Sequence, residues 1–258
     1  MARPSFRQIA LLVVTIVVAG VCVRLGFWQL GRLHGRRAIN AQIAAGFAQP
    51  PQQLTDLLAH AADPHQLAFR RAETAGTYDP AHEVILYGRS SARGDTGNHV
   101  LTPLLLDDGT ALLVDRGWVP LAQGEPPVSG AAAPPAGLVD VAGVLFPPDA
   151  ETATAAGASP VLQVTKIDPG KLGAQLPYPI LPVYLVLQEQ RPAQAGGLPE
   201  PAPLPELTEG PHLSYAIQWF AFATIAVVGY GVLVRRDRRE GRGAEARSTP
   251  EGVAGREA

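Results

Sequence analysis

The chain has 258 residues, of which 47% are hydrophobic and 17% charged, a charged share below the roughly 25% usual for soluble domains. Its net charge of -2 excludes nucleic-acid binding by bulk electrostatics. The lone cysteine, Cys22, excludes an intramolecular disulfide or a thiolate metal site and reads as a small apolar residue in a helix.

In chain order, residues 1–8 form a short N-terminal segment carrying Arg3 and Arg7, and the first apolar stretch covers 9–30. At 1.5 Å per residue it reaches roughly 33 Å, enough to cross a bilayer core of about 30 Å. Arg24 lies near its far end, where a long side chain snorkels to the surface, and Trp28 suits an aromatic belt. A cleaved signal peptide competes with this reading. However, no small-x-small cleavage site with a polar start follows, and Arg32, Arg36 and Arg37 come instead, so an uncleaved anchor is expected.

Residues 31–190 read as a β-rich domain. A short helix is expected at Leu54–His60, with Thr55 as its cap. Strands are expected at His82–Tyr87, Val100–Leu106, Ala111–Val119, Leu138–Leu145, Val161–Ile167 and Val183–Leu187, with a short helix over Pro169–Leu176. Asp107-Asp108-Gly109-Thr110 predicts a hairpin between the second and third strands, and Pro103 suggests an edge strand or a bulge. The linkers are Ala122–Gly137, Pro147–Pro160 and the proline-rich 191–211, an extended spacer. The expected fold class is two transmembrane helices flanking a β-rich (α+β) extracytoplasmic domain, an antiparallel barrel or sandwich.

The second apolar stretch covers 212–234, opened by Pro211 and closed by Arg235-Arg236-Asp237-Arg238-Arg239. Its upstream flank carries Glu206 and Glu209, so its C-terminal end is expected in the cytoplasm, as are the N-terminus and the 235–258 tail. The arginines after the first span pull the other way; the cleaner contrast across the second span decides.

No HExxH, GxSxG, P-loop or GxGxxG stands in the sequence, and His60, His65, His82 and His99 have no metal-ligand spacing with cysteine. His82 and His99 are expected to be exposed. Arg116 and Trp118, in Asp115-Arg116-Gly117-Trp118, read either as a contact surface for a partner or as a local Asp–Arg pair with a glycine bulge turning the tryptophan inward. A histidine at the head of an apolar helix asks for a reason. His212, Tyr215, Ala216, Trp219 and Ala223 share one helical face. That face suits a flat cofactor such as haem, or a helix end docking on the first span.

Several stretches resemble signatures of the SURF1/Shy1 family: Trp28-Gln29-Leu30-Gly31-Arg32-Leu33, Thr102-Pro103-Leu104, Leu112 to Pro120, Leu181 to Leu185 and His212 to Phe220. Where that family carries two asparagines before the histidine, this chain has Gly210-Pro211. The resemblance implies an assembly factor for haem–copper cytochrome c oxidase in a bacterial plasma membrane. It implies haem a as a transient cofactor, with His212 on its iron, Tyr215 and Trp219 beside it and Arg24 meeting its propionates. It also implies oxidase subunit I, other assembly factors and lipid as partners, and no covalent catalysis. The alternatives are a two-span receptor or sensor with an outer ligand-binding domain, and a membrane-anchored enzyme. The short tail disfavours the sensor. An apolar cavity with converging titratable groups would favour the enzyme.

Overall fold

The computed structural model describes residues 6–149 and 161–247. Residues 1–5 of the N-terminal segment, 150–160 of the linker expected at 147–160, and 248–258 of the tail lie outside the described residues. The chain divides into two units, Met1–Asn40 with Thr208–Ala258, and Ala41–Leu207.

The first unit is built on two helices, α1 (Phe6–Phe47) and α4 (His212–Arg247), each long and apolar enough to cross a membrane. Both helices run beyond their apolar stretches, because the flanking arginine- and alanine-rich sequence is itself helix-forming. Their apolar side chains are largely exposed, Val17 at 59% and Ile225 at 65% among them. An apolar surface of this kind suits lipid. The helices run antiparallel. Gln8 donates to Asp237 and Tyr230 donates to the Gln8 carbonyl at one end, while Arg37 meets Glu209 at the other. Small residues form the contact face: Cys22, Ala216 and Ala223 are buried, and a Cβ at Gly26 would stand 2.7 Å from the Phe220 ring. Phe27 packs edge-on against Phe220. Close approach through small residues is how helices associate without a hydrophobic driving force between them.

The second unit holds an eight-stranded sheet. Its strands are β1 (Gln52–Gln53), β2 (Arg71–Tyr78), β3 (Val84–Ser90), β4 (Thr96–Leu105), β5 (Ala111–Pro120), β6 (Leu138–Phe146), β7 (Gln163–Val164) and β8 (Ile180–Arg191), in the order β1-β2-β6-β8-β5-β4-β3-β7. The expected antiparallel arrangement is corrected. β5 and β8 pair in parallel at the centre of the sheet, as do β1 with β2 and β3 with β7. Two residue pairs between β2 and β4 close a ring of pairings, and this short link does not make a barrel.

β5 is buried from Ala111 to Val119. Leu112 and Val114 enter one core with Leu54, Leu104, Leu145 and Leu185, while Leu113 enters a second with Leu86, Leu101 and Val186. Alternate residues point to opposite faces, so a strand covered on both sides reads as an unbroken apolar run.

Short helices complete the unit: α2 (Leu54–His60) and α3 (Pro169–Gly173). Gln53, not Thr55, takes the N-cap position of α2, because the helix starts one residue before the expected cap. Pro103 lies in an interior strand rather than at an edge. β4 pairs with β3 only as far as Leu101 and meets β2 from Leu104, so the missing N–H falls on a free rung. The strand expected over Val161–Ile167 shrinks to the two residues of β7.

Candidate functional site

The segment entering α4 is tied to α1 by side-chain bonds. Thr208 offers its carbonyl to Arg36 Nε at 3.0 Å and to Asn40 Nδ2 at 3.1 Å. Arg37 and Glu209 form a two-pronged ion pair at 2.7 and 2.9 Å. Their mutual hydrogen bond holds the Glu209 carboxyl below the usual carboxylate range. The pair is exposed and contributes more to register than to stability. Gly210 turns the chain at φ +66°, and the Pro211 carbonyl accepts from Tyr215 N at 3.1 Å, starting the helix.

His212 therefore opens α4 with its ring against α1. Its Nδ1 lies 2.9 Å from Gln29 Oε1. An amide oxygen only accepts, so Nδ1 is the donor in this bond, and Nε2 is the ring nitrogen left for a ligand. The neighbour next to that edge of the ring is Gly210, where a Cβ would stand 3.7 Å from Nε2 and from Cδ2. An imidazole held by a hydrogen bond at one ring nitrogen, with the other left for the metal, is the arrangement found in metal-ligating histidines. The donor set thus fits a haem iron, which His212 would hold through Nε2 with Gln29 fixing the ring.

The other candidates divide. Trp219 is half-buried on α4, edge-on to Phe222, and Tyr215 is 45% exposed. Arg24 is exposed, and it sits two positions from both Cys22 and Gly26, about 200° around the helix from each. It thus lies on the side of α1 away from Cys22 and Gly26, which face α4. Arg32, one turn beyond Gln29 and exposed, is a guanidinium on the His212 side. Gln29 itself carried a signal that sequence reasoning passed over: an uncharged polar residue in the last turn of an apolar stretch, beside Trp28.

Within the second unit, the expectation of an exposed Arg116 and Trp118 surface is also corrected. They are 2% and 6% exposed. Asp115 does not pair with its neighbour; it accepts from His99 Nδ1 at 2.8 Å and from Gly117 N at 3.0 Å. His99 is therefore buried, not exposed as expected, because β3 and β5 enclose β4 on both edges at that level. His82 is half-exposed and bonds Asp79. A cavity of about 170 Å³ borders His99 and Asp115, lined also by Arg89, Asp149, Phe146 and Tyr184. Titratable groups converge there, and His99 Nε2 is buried with no hydrogen-bond partner among the described residues. Its lining includes the Tyr184 hydroxyl and the Asp115 and Asp149 carboxylates and, among the described residues, no serine, threonine or cysteine.

The SURF1 family model matches residues 16–224, from α1 into α4. The chain belongs to the SURF1 family. An uncharacterized SURF1-like protein of Mycobacterium tuberculosis is 32% identical over 257 residues, covering 96% of this chain and 90% of the relative. A SURF1-like protein of Monosiga brevicollis is 28% identical over 238 residues, covering 88% and 87%. One from Rickettsia felis is 28% identical over 106 residues, covering 41% and 44%. The SURF1 match takes in both Gln29 and His212, so the two residues that meet lie near opposite ends of the family region.

Proposed function

We propose that this SURF1-family chain assists assembly of cytochrome c oxidase by holding haem a in transit to subunit I. Membership of the family supports a role in oxidase assembly in general. The observation that carries the finer reading is the His212 ring, bonded at Nδ1 to Gln29 across the helix pair and standing beside Gly210.

When bound, the haem would supply an iron able to take a nitrogen ligand. His212 provides that nitrogen, and Gln29 orients it. Arg32 offers a positive charge to the carboxylates, and Trp219 offers an aromatic edge. A single neutral imidazole is a ligand that can let go, which suits handover rather than storage. In this reading the protein catalyses no covalent reaction. It sits in a bacterial plasma membrane with both termini in the cytoplasm, docked on the nascent oxidase beside other assembly factors.

Two measurements test the reading. Deleting the gene is expected to lower the haem a band of the reduced-minus-oxidised membrane spectrum while leaving haem b enzymes near normal; an unchanged haem a band would sink it. Purified protein exposed to haemin is expected to retain it, and His212→Ala to lose most of it.

A second reading rests on the buried, unpartnered Nε2 of His99 at its cavity. It makes the sheet domain a receptor for a small hydrogen-bond donor. His99→Phe keeps the ring and removes the acceptor. A variant that folds and fully supports oxidase assembly would remove this reading.

A further inference from the structure

We infer that Gln29 is a positioning residue that sets the tautomer of His212, and so decides which imidazole nitrogen is offered to a metal. The inference deepens the haem-holding reading and rests on it for its biological meaning, but the tautomer is a property of the polypeptide alone.

Gln29 Oε1 lies 2.9 Å from His212 Nδ1. A neutral imidazole carries one proton on either nitrogen, and the hydrogen bond made by one nitrogen decides the state of the other. With an acceptor at Nδ1 the proton stays there, and Nε2 is bare. Without that acceptor the proton is free to move to Nε2, and that nitrogen would no longer be available as a ligand. The bond is reinforced by its setting, since a polar group at the edge of an apolar span has few competing partners.

The placement of the amide is built into the helix pair. Gly26 lies one turn before Gln29 on the same side of α1, and its missing Cβ lets the Phe220 ring come close. Beyond Gln29, Arg36 and Asn40 fix Thr208, and Arg37 fixes Glu209. The ring of His212 is thus held at its backbone and at Nδ1 from one helix. The ligand is complete only when the two helices are paired.

The choice of an amide is also informative. A carboxylate at position 29 would accept the same proton but make the imidazole a stronger donor. A neutral amide orients without that gain and without placing a charge at the end of an apolar span. Gln29 therefore favours a ligand that is correctly turned and readily released.

The test uses the full chain in lipid nanodiscs, labelled with 15N at its six histidines, with His212→Ala identifying the resonances. Wild type is expected to show a protonated Nδ1 and a bare Nε2. Gln29→Leu is expected to move most of the population to the Nε2-protonated form. Gln29→Glu is expected to keep the wild-type tautomer. The resonances of the other histidines report whether each variant is folded. An Nε2-protonated wild type, or an unchanged tautomer in folded Gln29→Leu, overturns the inference. If Gln29→Leu does not fold, the wild-type spectrum and Gln29→Glu still decide it.

Haemin titration of the same samples gives a second readout. Gln29→Leu is expected to bind about 10- to 100-fold more weakly, and Gln29→Glu more tightly than wild type. Equal binding by all three would also count against the inference. Failure of wild type to bind haemin would instead remove the haem-holding reading and leave the tautomer result standing.

Discussion

Arg116 is enclosed on all sides, and its guanidinium reaches past Asp115 to Glu83, 3.1 Å away at the entrance to β3. Glu83 also accepts from Thr102 Oγ1 and from Val128 N, while Arg116 donates to the Ala132 carbonyl and to Gln194 and lies over the Tyr78 ring. Val128 and Ala132 belong to one stretch read from sequence as a linker, and Gln194 to another. The buried pair is the polar post around which both are wrapped. Glu83→Ala removes the counter-charge and leaves a buried cation, so it should cost about 3–5 kcal/mol in urea unfolding of the solubilised protein. A loss under about 1 kcal/mol would mean that water reaches the pair. Asp79 governs a smaller and pH-dependent contribution. Partial burial raises its carboxyl, but hydrogen bonds from Tyr178 and His82, with the His82 charge, outweigh this and lower it. A depressed carboxyl stabilises the fold fully above its unfolded value of about 3.9 and loses that contribution as pH falls through the folded value. The stability gap between wild type and Asp79→Asn should therefore be full near pH 5 and shrink below pH 4. A gap that stays constant down to pH 2 would assign the effect to packing.

Among the elements, the β4–β5 hairpin depends on a turn with a single demanding position. Gly109 takes φ +80°, its amide donates to the Leu106 carbonyl, and Thr110 bonds Asp108 through backbone and hydroxyl. A Cβ at Gly109 would meet nothing within 4 Å, so the cost of a side chain there is conformational. Gly109→Ala should destabilise by about 1–2 kcal/mol and Gly109→Asn by less, because asparagine tolerates the left-handed region. Equal losses in urea unfolding would point to a lost contact instead. That turn was legible because its chemistry is local: Asp-Gly between two apolar runs. β2 was not legible. Its sequence, Arg-Ala-Glu-Thr-Ala-Gly-Thr-Tyr, has little strand propensity and is held by seven residue pairs to β6. Pairing with a distant strand leaves no local mark. The same holds for the β5–β8 parallel pairing, whose partners lie far apart in the chain, and for Arg116. An arginine in a strand is rarely wholly buried, so its partners on other elements decided its place. His212 was visible as an anomaly, whereas Gln29, far away in sequence, became its partner only through the helix pairing.

For the molecule as a whole, the charges flanking the two helices bear on which side of a membrane holds the sheet unit. Four arginines follow the apolar part of α4, at 235, 236, 238 and 239, against Asp237 and Glu240. The other flank carries Glu206 and Glu209, but α1 adds Arg32, Arg36 and Arg37 there. The structure reduces this conflict. Arg37 is paired to Glu209, and Arg36 bonds the Thr208 carbonyl, so two of the three arginines are engaged in holding the α4 entrance. Their role there is positional, which gives a reason for basic residues on that flank other than orientation. The positive-inside rule then favours cytoplasmic termini and an outer sheet unit. Alkaline phosphatase, active only outside the cytoplasm, should be active when fused after Gln53 and inactive when fused after Glu240. A fluorescent protein that matures only in the cytoplasm should give the reverse. If the Gln53 fusion were silent and the Glu240 fusion active, the Gln29–His212 site would lie at the cytoplasmic face. Handover would then have to occur on the inner side of the membrane, with the sheet unit meeting only the inner surface of the oxidase.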